Sequence, residues 1–103
     1  MSHTDNAQVL DNPEQTRFEL RLQDRVIGFA EYQRHPDRMV LPHVEIDPAH
    51  RGRGLAGQLT RETLNAARAE GRWVTPLCPY VAGYIRKHPE YADLVDDRRH
   101  RGE

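Results

Sequence analysis

The sequence predicts an α/β domain in which a mostly antiparallel sheet is joined, through one helical crossover, to a final parallel strand. Three observations carry this. Polar and apolar residues alternate over 17–23, and branched or aromatic residues crowd 26–34 and 39–46, as in strands. After residue 54 the period becomes helical: Ala56, Leu59, Thr63, Ala66 and Ala67 fall near one stripe, Leu55 and Leu64 flank it, and Gln58, Arg61, Glu62, Asn65 and Arg68 point elsewhere. A further apolar run, 73–77, follows that helix, and a helical crossover sets it parallel to the strand at 39–46.

Taken in order, residues 1–14 are polar apart from Val9 and Leu10, so 1–8 is expected to be a flexible tail with at most a short strand after it. In 17–23, Phe18, Leu20 and Leu22 share one face, while Arg17, Glu19, Arg21 and Gln23 share the other: a half-buried strand. A two-residue turn at Asp24-Arg25 leads into 26–34. His35-Pro36-Asp37-Arg38 is turn chemistry, with Pro36 preset for the second position. Asp47-Pro48 stops the strand at 39–46, and Gly71 ends the helix, where a left-handed C-cap needs no Cβ. Pro76 ends the strand at 73–77 early or sets it at an edge. Pro79 opens a second helix with Val81, Tyr84 and Ile85 on its apolar side, Pro89 interrupts it, 89–95 adds a turn or two, and 96–103 is a charged tail. No repeat is present, so 9–95 is expected to be one domain.

At 103 residues the chain can bury a modest core, and 37% hydrophobic against 30% charged residues is the balance of a globular protein. It should fold as a monomer or a small homo-oligomer. Fifteen Lys plus Arg against sixteen Asp plus Glu give a net charge of −1, which creates no global field toward nucleic acid or membrane. Arginines 51, 53, 61 and 68 could contact nucleic acid, but balanced charge and the lack of aromatic platforms argue against that partner. No apolar run approaches a membrane span and Met1-Ser2-His3-Thr4 begins no signal peptide, so the expected location is cytoplasmic. One cysteine forms no intrachain disulfide, and no paired-cysteine metal signature exists.

The stretch that carries most chemistry is Arg51-Gly52-Arg53-Gly54-Leu55-Ala56-Gly57, lying between a strand and a helix start. The first N–H groups of a helix have no intrahelical partner and carry the positive end of its dipole, so a phosphate can dock there. Glycines admit a close approach, and Arg51 and Arg53 could add charge-assisted bonds. The competing account is that Gly52, Gly54 and Gly57 only shape a turn and let the helix pack closely.

Together with Glu45, the Pro76-x-Cys78-Pro79-Tyr80 segment and His88-Pro89-Glu90-Tyr91, this loop resembles the short single-domain proteins of the GNAT superfamily of N-acetyltransferases, over residues 9–95. The resemblance implies a compact GNAT-like fold with acetyl-CoA as cosubstrate, an amine of unknown identity as acceptor, and no metal. It implies that Arg51, Gly52, Arg53, Gly54, Leu55 and Ala56 hold the cofactor phosphates, and that Val44 and Ile46 line the pantetheine arm. The chain departs from the larger family by stopping soon after its second main helix, where further strands usually complete the acceptor pocket.

Acetyl transfer to an amine needs a base, a stabilised oxyanion and a proton for the departing thiolate. Glu45 is the candidate base, with His43 two residues away on the same strand face. Tyr84 is a candidate acid, with packing as its other reading. Cys78 stands between a strand end and the helix start at Pro79, where a thiol could accept the acyl group and pass it on, provided it is not simply a small buried residue. His88 could activate it only if the helix folds back. The competing function is a non-catalytic acyl-CoA-binding module.

Overall fold

Four consecutive strands form an antiparallel meander: β1 (Gln8–Asn12), β2 (Arg17–Leu22), β3 (Arg25–Arg34) and β4 (Arg38–Ile46). Helix α1 (Leu55–Ala69) then crosses over to β5 (Trp73–Pro76), which pairs parallel to β4 and completes the order β1-β2-β3-β4-β5. Helix α2 (Pro79–Lys87) and a 3-10 turn (Pro89–Leu94) follow. This computed structural model describes residues 7–95. Of the expected tail at 1–8, residues 1–6 lie outside the described residues, as does all of the expected charged tail at 96–103; Ala7 is buried and Gln8 opens β1.

Two local departures from the sequence expectation have physical causes. The β2–β3 turn is Gln23-Asp24, not Asp24-Arg25: both residues are left-handed (φ 51° and 68°), and Leu22 pairs with Arg25. A two-residue hairpin turn that follows strand twist needs two positive φ values, which Asp accepts more readily than Arg. In β4 the pairing slips from Glu31↔His43 to Gln33↔Val40, so Leu41 and Pro42 together face Tyr32. A bulge is where a proline, with no N–H to give, is tolerated. As expected from Pro76, β5 stops there, one residue before Leu77, and lies at the sheet edge.

Helix α1 buries Leu55, Leu59, Thr60, Thr63, Leu64 and Ala67 against the sheet, where Leu20, Met39, Leu41 and Val74 are fully enclosed. Thr60 thus joins the expected stripe, and Ala56 and Ala66 are only half-buried. The helix ends as expected: Gly71 has φ 71°, its N–H bonds the Arg68 carbonyl at 3.0 Å, and the Arg72 N–H bonds Ala67 at 2.9 Å, which caps two otherwise unpaired carbonyls. Beyond α2, Tyr91 donates to Asn65 Oδ1 at 2.9 Å and Arg68 grips Asp93 at 3.1 Å, tying the 3-10 turn back to α1.

The polar face of β2 is not simply solvated. Glu19 is 2% exposed, held by Asn12 Nδ2 at 2.9 Å, Arg17 Nε at 2.9 Å and Arg21 Nη2 at 2.6 Å. Burial pushes its carboxyl up, but bonds from Arg21, Asn12 and Arg17 outweigh that and hold it below the ordinary 4.5. A carboxyl depressed by folding contributes stability that is present above its unfolded value and lost as pH falls through the folded one. Glu19→Gln should therefore lower the urea midpoint at pH 7, with the gap to wild type closing as pH drops below 4.5. A gap that is the same at pH 3 and pH 7 would assign the loss to shape rather than charge.

Candidate active site

The loop that leaves β4 is shaped by its own backbone. Asp47 Oδ1 accepts the Ala49 N–H at 3.0 Å and caps a 3-10 turn at Pro48–His50. Gly52 (φ 84°) and Gly54 (φ 74°) then take left-handed conformations, which cost an L-residue about 1–2 kcal/mol. Gly54 is the N-cap of α1, and the first satisfied amide is Gln58, which bonds the Gly54 carbonyl at 3.1 Å. Among the described residues, the amides of Leu55, Ala56 and Gly57 reach no acceptor outside the helix, and its first turn holds no acid. A Cβ built on Gly52 or Gly54 would meet nothing within 4 Å.

The space over these amides is a hollow of about 200 Å³ lined by Ile46, His50, Gly52, Gly54, Ala56 and Tyr80. His50 Nδ1 is buried beside it with no hydrogen-bond partner among the described residues. Free amides, open space and an unused ring nitrogen fit a phosphate. Gly57 differs from its neighbours: a Cβ there would lie 3.7 Å from Tyr84 Cε2 and 3.8 Å from the Tyr80 hydroxyl, ordinary contact at a helical position. Close packing does not explain it.

The edge of β4 leads away from this hollow. Its pairing with β5 ends at Leu41↔Pro76, so residues 42–46 have no strand beyond them among the described residues. Val44, half-buried, and Ile46, buried, lie on the core side of this edge. His43 and Glu45 lie on the other face, their side chains 50% and 55% exposed, with Nε2 and Oε1 2.9 Å apart. The His43 ring also lies 6.0 Å from Phe29.

Cys78 sits where the two strands part. It is 5% exposed, it is the N-cap of α2, and its N–H bonds the Leu41 carbonyl at 3.0 Å. His88 does not approach it. Cys78 and His88 cap opposite ends of α2, roughly 15 Å apart along a helix rising 1.5 Å per residue. His88 instead stacks on Tyr84 at 3.9 Å and bonds the Tyr84 carbonyl at 2.9 Å.

Tyr84 is 9% exposed and is packed among His88, Tyr80 and Tyr91. Burial and then Tyr91 push its phenol above the ordinary value, with Arg61 pulling the other way. Tyr80, in the Cys78-Pro79-Tyr80 segment, has no individual role legible in the sequence. It is 45% exposed, yet its hydroxyl end is tucked over Gly57; burial there, then Tyr84 and Cys78, keep that phenol protonated above the usual range. It borders both the hollow and a larger groove of about 590 Å³ between α1 and α2. Among the described residues no three His, Cys, Asp or Glu side chains gather as metal ligands, and no helix is long and apolar enough to cross a membrane.

The glycines give a stability test. Gly57→Ala should raise stability by about 0.5–1 kcal/mol through helix propensity. Gly54→Ala should lower it by about 1–2 kcal/mol through left-handed strain. Urea denaturation of both variants checks this, and equal effects would mean that the loop conformation is wrong.

A search of curated proteins returned no match. The sequence matches the family profile described as GCN5-related N-acetyl-transferase across residues 17–94, more than half of the chain. That span runs from β2 to the end of the 3-10 turn after α2 and contains the loop, the open β4 edge and Cys78. The chain therefore belongs to the GCN5-related N-acetyl-transferase family, whose general chemistry is acetyl transfer.

Proposed function

We propose that the protein transfers the acetyl group of acetyl-CoA to an amine. The observation that carries this reading is the continuity between the hollow at the start of α1 and the unpaired β4 edge that ends beside Cys78. In this reading the diphosphate docks on the amides of 55–57, with Arg51 and Arg53 beside it, and the pantetheine arm follows Val44 and Ile46. An extended amide chain can use the backbone groups that β4 offers to no further strand.

The acceptor nitrogen attacks the thioester carbonyl from the face that carries His43 and Glu45. A C–N bond forms as the C–S bond breaks, the proton leaving nitrogen passes to Glu45, and the departing thiolate takes a proton from solvent. Exposure of the His43–Glu45 pair supports this, because an acceptor can reach it directly. Tyr84, enclosed by its ring neighbours, holds the wall of the groove.

A second reading is favoured by the place of Cys78 where the strands part: its sulfur takes the acetyl group first, exchanging one thioester for another, and the amine then attacks the acylated enzyme. A single cysteine outside any disulfide suits a reducing compartment such as the cytoplasm.

The test is turnover across a panel of amines, with intact-protein mass spectrometry after excess acetyl-CoA. Glu45→Gln should lower kcat/KM for the amine about 10²–10⁴-fold while leaving CoA affinity unchanged. An undiminished rate would reduce Glu45 to a surface residue. A hydroxylamine-labile acetyl group that disappears in Cys78→Ala together with turnover selects the two-step route; turnover that survives in Cys78→Ala selects direct transfer. CoA binding without turnover on any amine would make the protein a binding module.

A further inference from the structure

The groove between α1 and α2 has a one-sided charge. Arg61 lines one wall, Arg86, Lys87 and His88 line the other, and no Asp or Glu lines it anywhere. Elsewhere five arginines are paired: Arg17 and Arg21 hold Glu19, Arg34 and Arg72 hold Glu70, and Arg68 holds Asp93. Arg86 and Lys87 hold no carboxylate among the described residues, and an Arg86 guanidinium nitrogen lies 3.5 Å from where a Gly83 Cβ would stand. A net charge of −1 makes this local excess a feature of the groove rather than of the chain.

The groove also shares Gly54, Gly57 and Tyr80 with the hollow over the α1 amides, so the two are one continuous surface. A ligand whose diphosphate sits on those amides therefore has one end directed into a basic, acid-free channel. Arg61 lies seven residues along α1 from Gly54, roughly 10 Å at 1.5 Å per residue, within reach of a nucleoside attached to that diphosphate.

We propose that this groove binds the 3′-phosphate of the CoA nucleotide through Arg86 and Lys87, with Arg61 opposite, and that the protein thereby distinguishes CoA from the same molecule lacking that phosphate. The proposal rests on the reading that CoA docks on the loop. A phosphomonoester dianion is the group in CoA that needs several cations, and a charge-assisted bond to it contributes about 1.5–3 kcal/mol, so its loss costs about tenfold or more in affinity.

Calorimetry on the full chain with CoA and with 3′-dephospho-CoA, at fixed salt, tests this. Wild type should bind dephospho-CoA at least about tenfold more weakly. The double variant Arg86→Gln/Lys87→Gln changes two exposed helix positions; it should bind CoA about as weakly as dephospho-CoA, with its dephospho-CoA affinity equal to that of wild type. Equal binding of the two nucleotides by wild type would overturn the assignment while leaving the loop reading intact. Binding of neither would remove the loop reading and this inference with it. If the double variant loses stability but keeps the wild-type selectivity, the two cations serve the end of α2 and the proposal fails.

Discussion

The end of the β4–β5 ladder at Leu41 and Pro76 is the constraint on which the site depends. Pro76 has no N–H to continue a parallel ladder, the Leu77 N–H turns back onto the Thr75 carbonyl at 3.1 Å, and the Cys78 N–H takes the Leu41 carbonyl instead. That exchange keeps Leu41 satisfied where the strands separate. It also sets the start of α2, because Cys78 becomes its N-cap with Pro79 at the first helical position. The bulge at Leu41 and Pro42 bends β4 at the same point, so the open edge, the place of the cysteine and the helix start all arise from three prolines and one hydrogen bond.

Charge is divided across this gap. On one face of the sheet the side chains are paired or half-exposed, with Glu19 held by two arginines and Glu45 beside His43. On the helical side lie the loop amides, Arg51, Arg53 and the acid-free groove. Under the proposed function, an anionic cosubstrate and a basic acceptor would be drawn to opposite sides of the same edge, so that the acceptor would not compete for the loop amides. The ion pairs of Arg34 with Asp11 and Glu70 stand apart from this division and tie β1 and the end of α1 to β3.

Much of the fold was legible because its signals are periodic or punctuated. Alternation around Phe18 and Leu20, the helical stripe ending at Gly71, and the proline at the start of α2 each act locally, and the structure follows them. The turn at Gln23-Asp24 and the bulge at Pro42 were not legible, since each depends on which residues face each other across two strands. Burial of Glu19 was hidden for the same reason: three partners from β1 and β2 converge on it, and alternation alone marks it as solvent-facing. At the candidate site, glycine spacing and the Cys78-Pro79 step pointed to the loop and strand end that border the hollow and the open β4 edge. The pairing of Tyr80 with Gly57, the orphaned His50 nitrogen and the groove between the helices required α1 and α2 to be placed against each other.

The most direct measurement of the central claim is an amide chemical-shift map of the ¹⁵N-labelled chain titrated with CoA. If CoA docks as proposed, the largest changes fall on the amides of Gly52, Gly54, Leu55, Ala56 and Gly57 and continue along β4 through Val44 and Ile46 to Cys78. Saturable binding that leaves the amides of 52–57 and the β4 edge unmoved, with shifts confined to another surface, would contradict it.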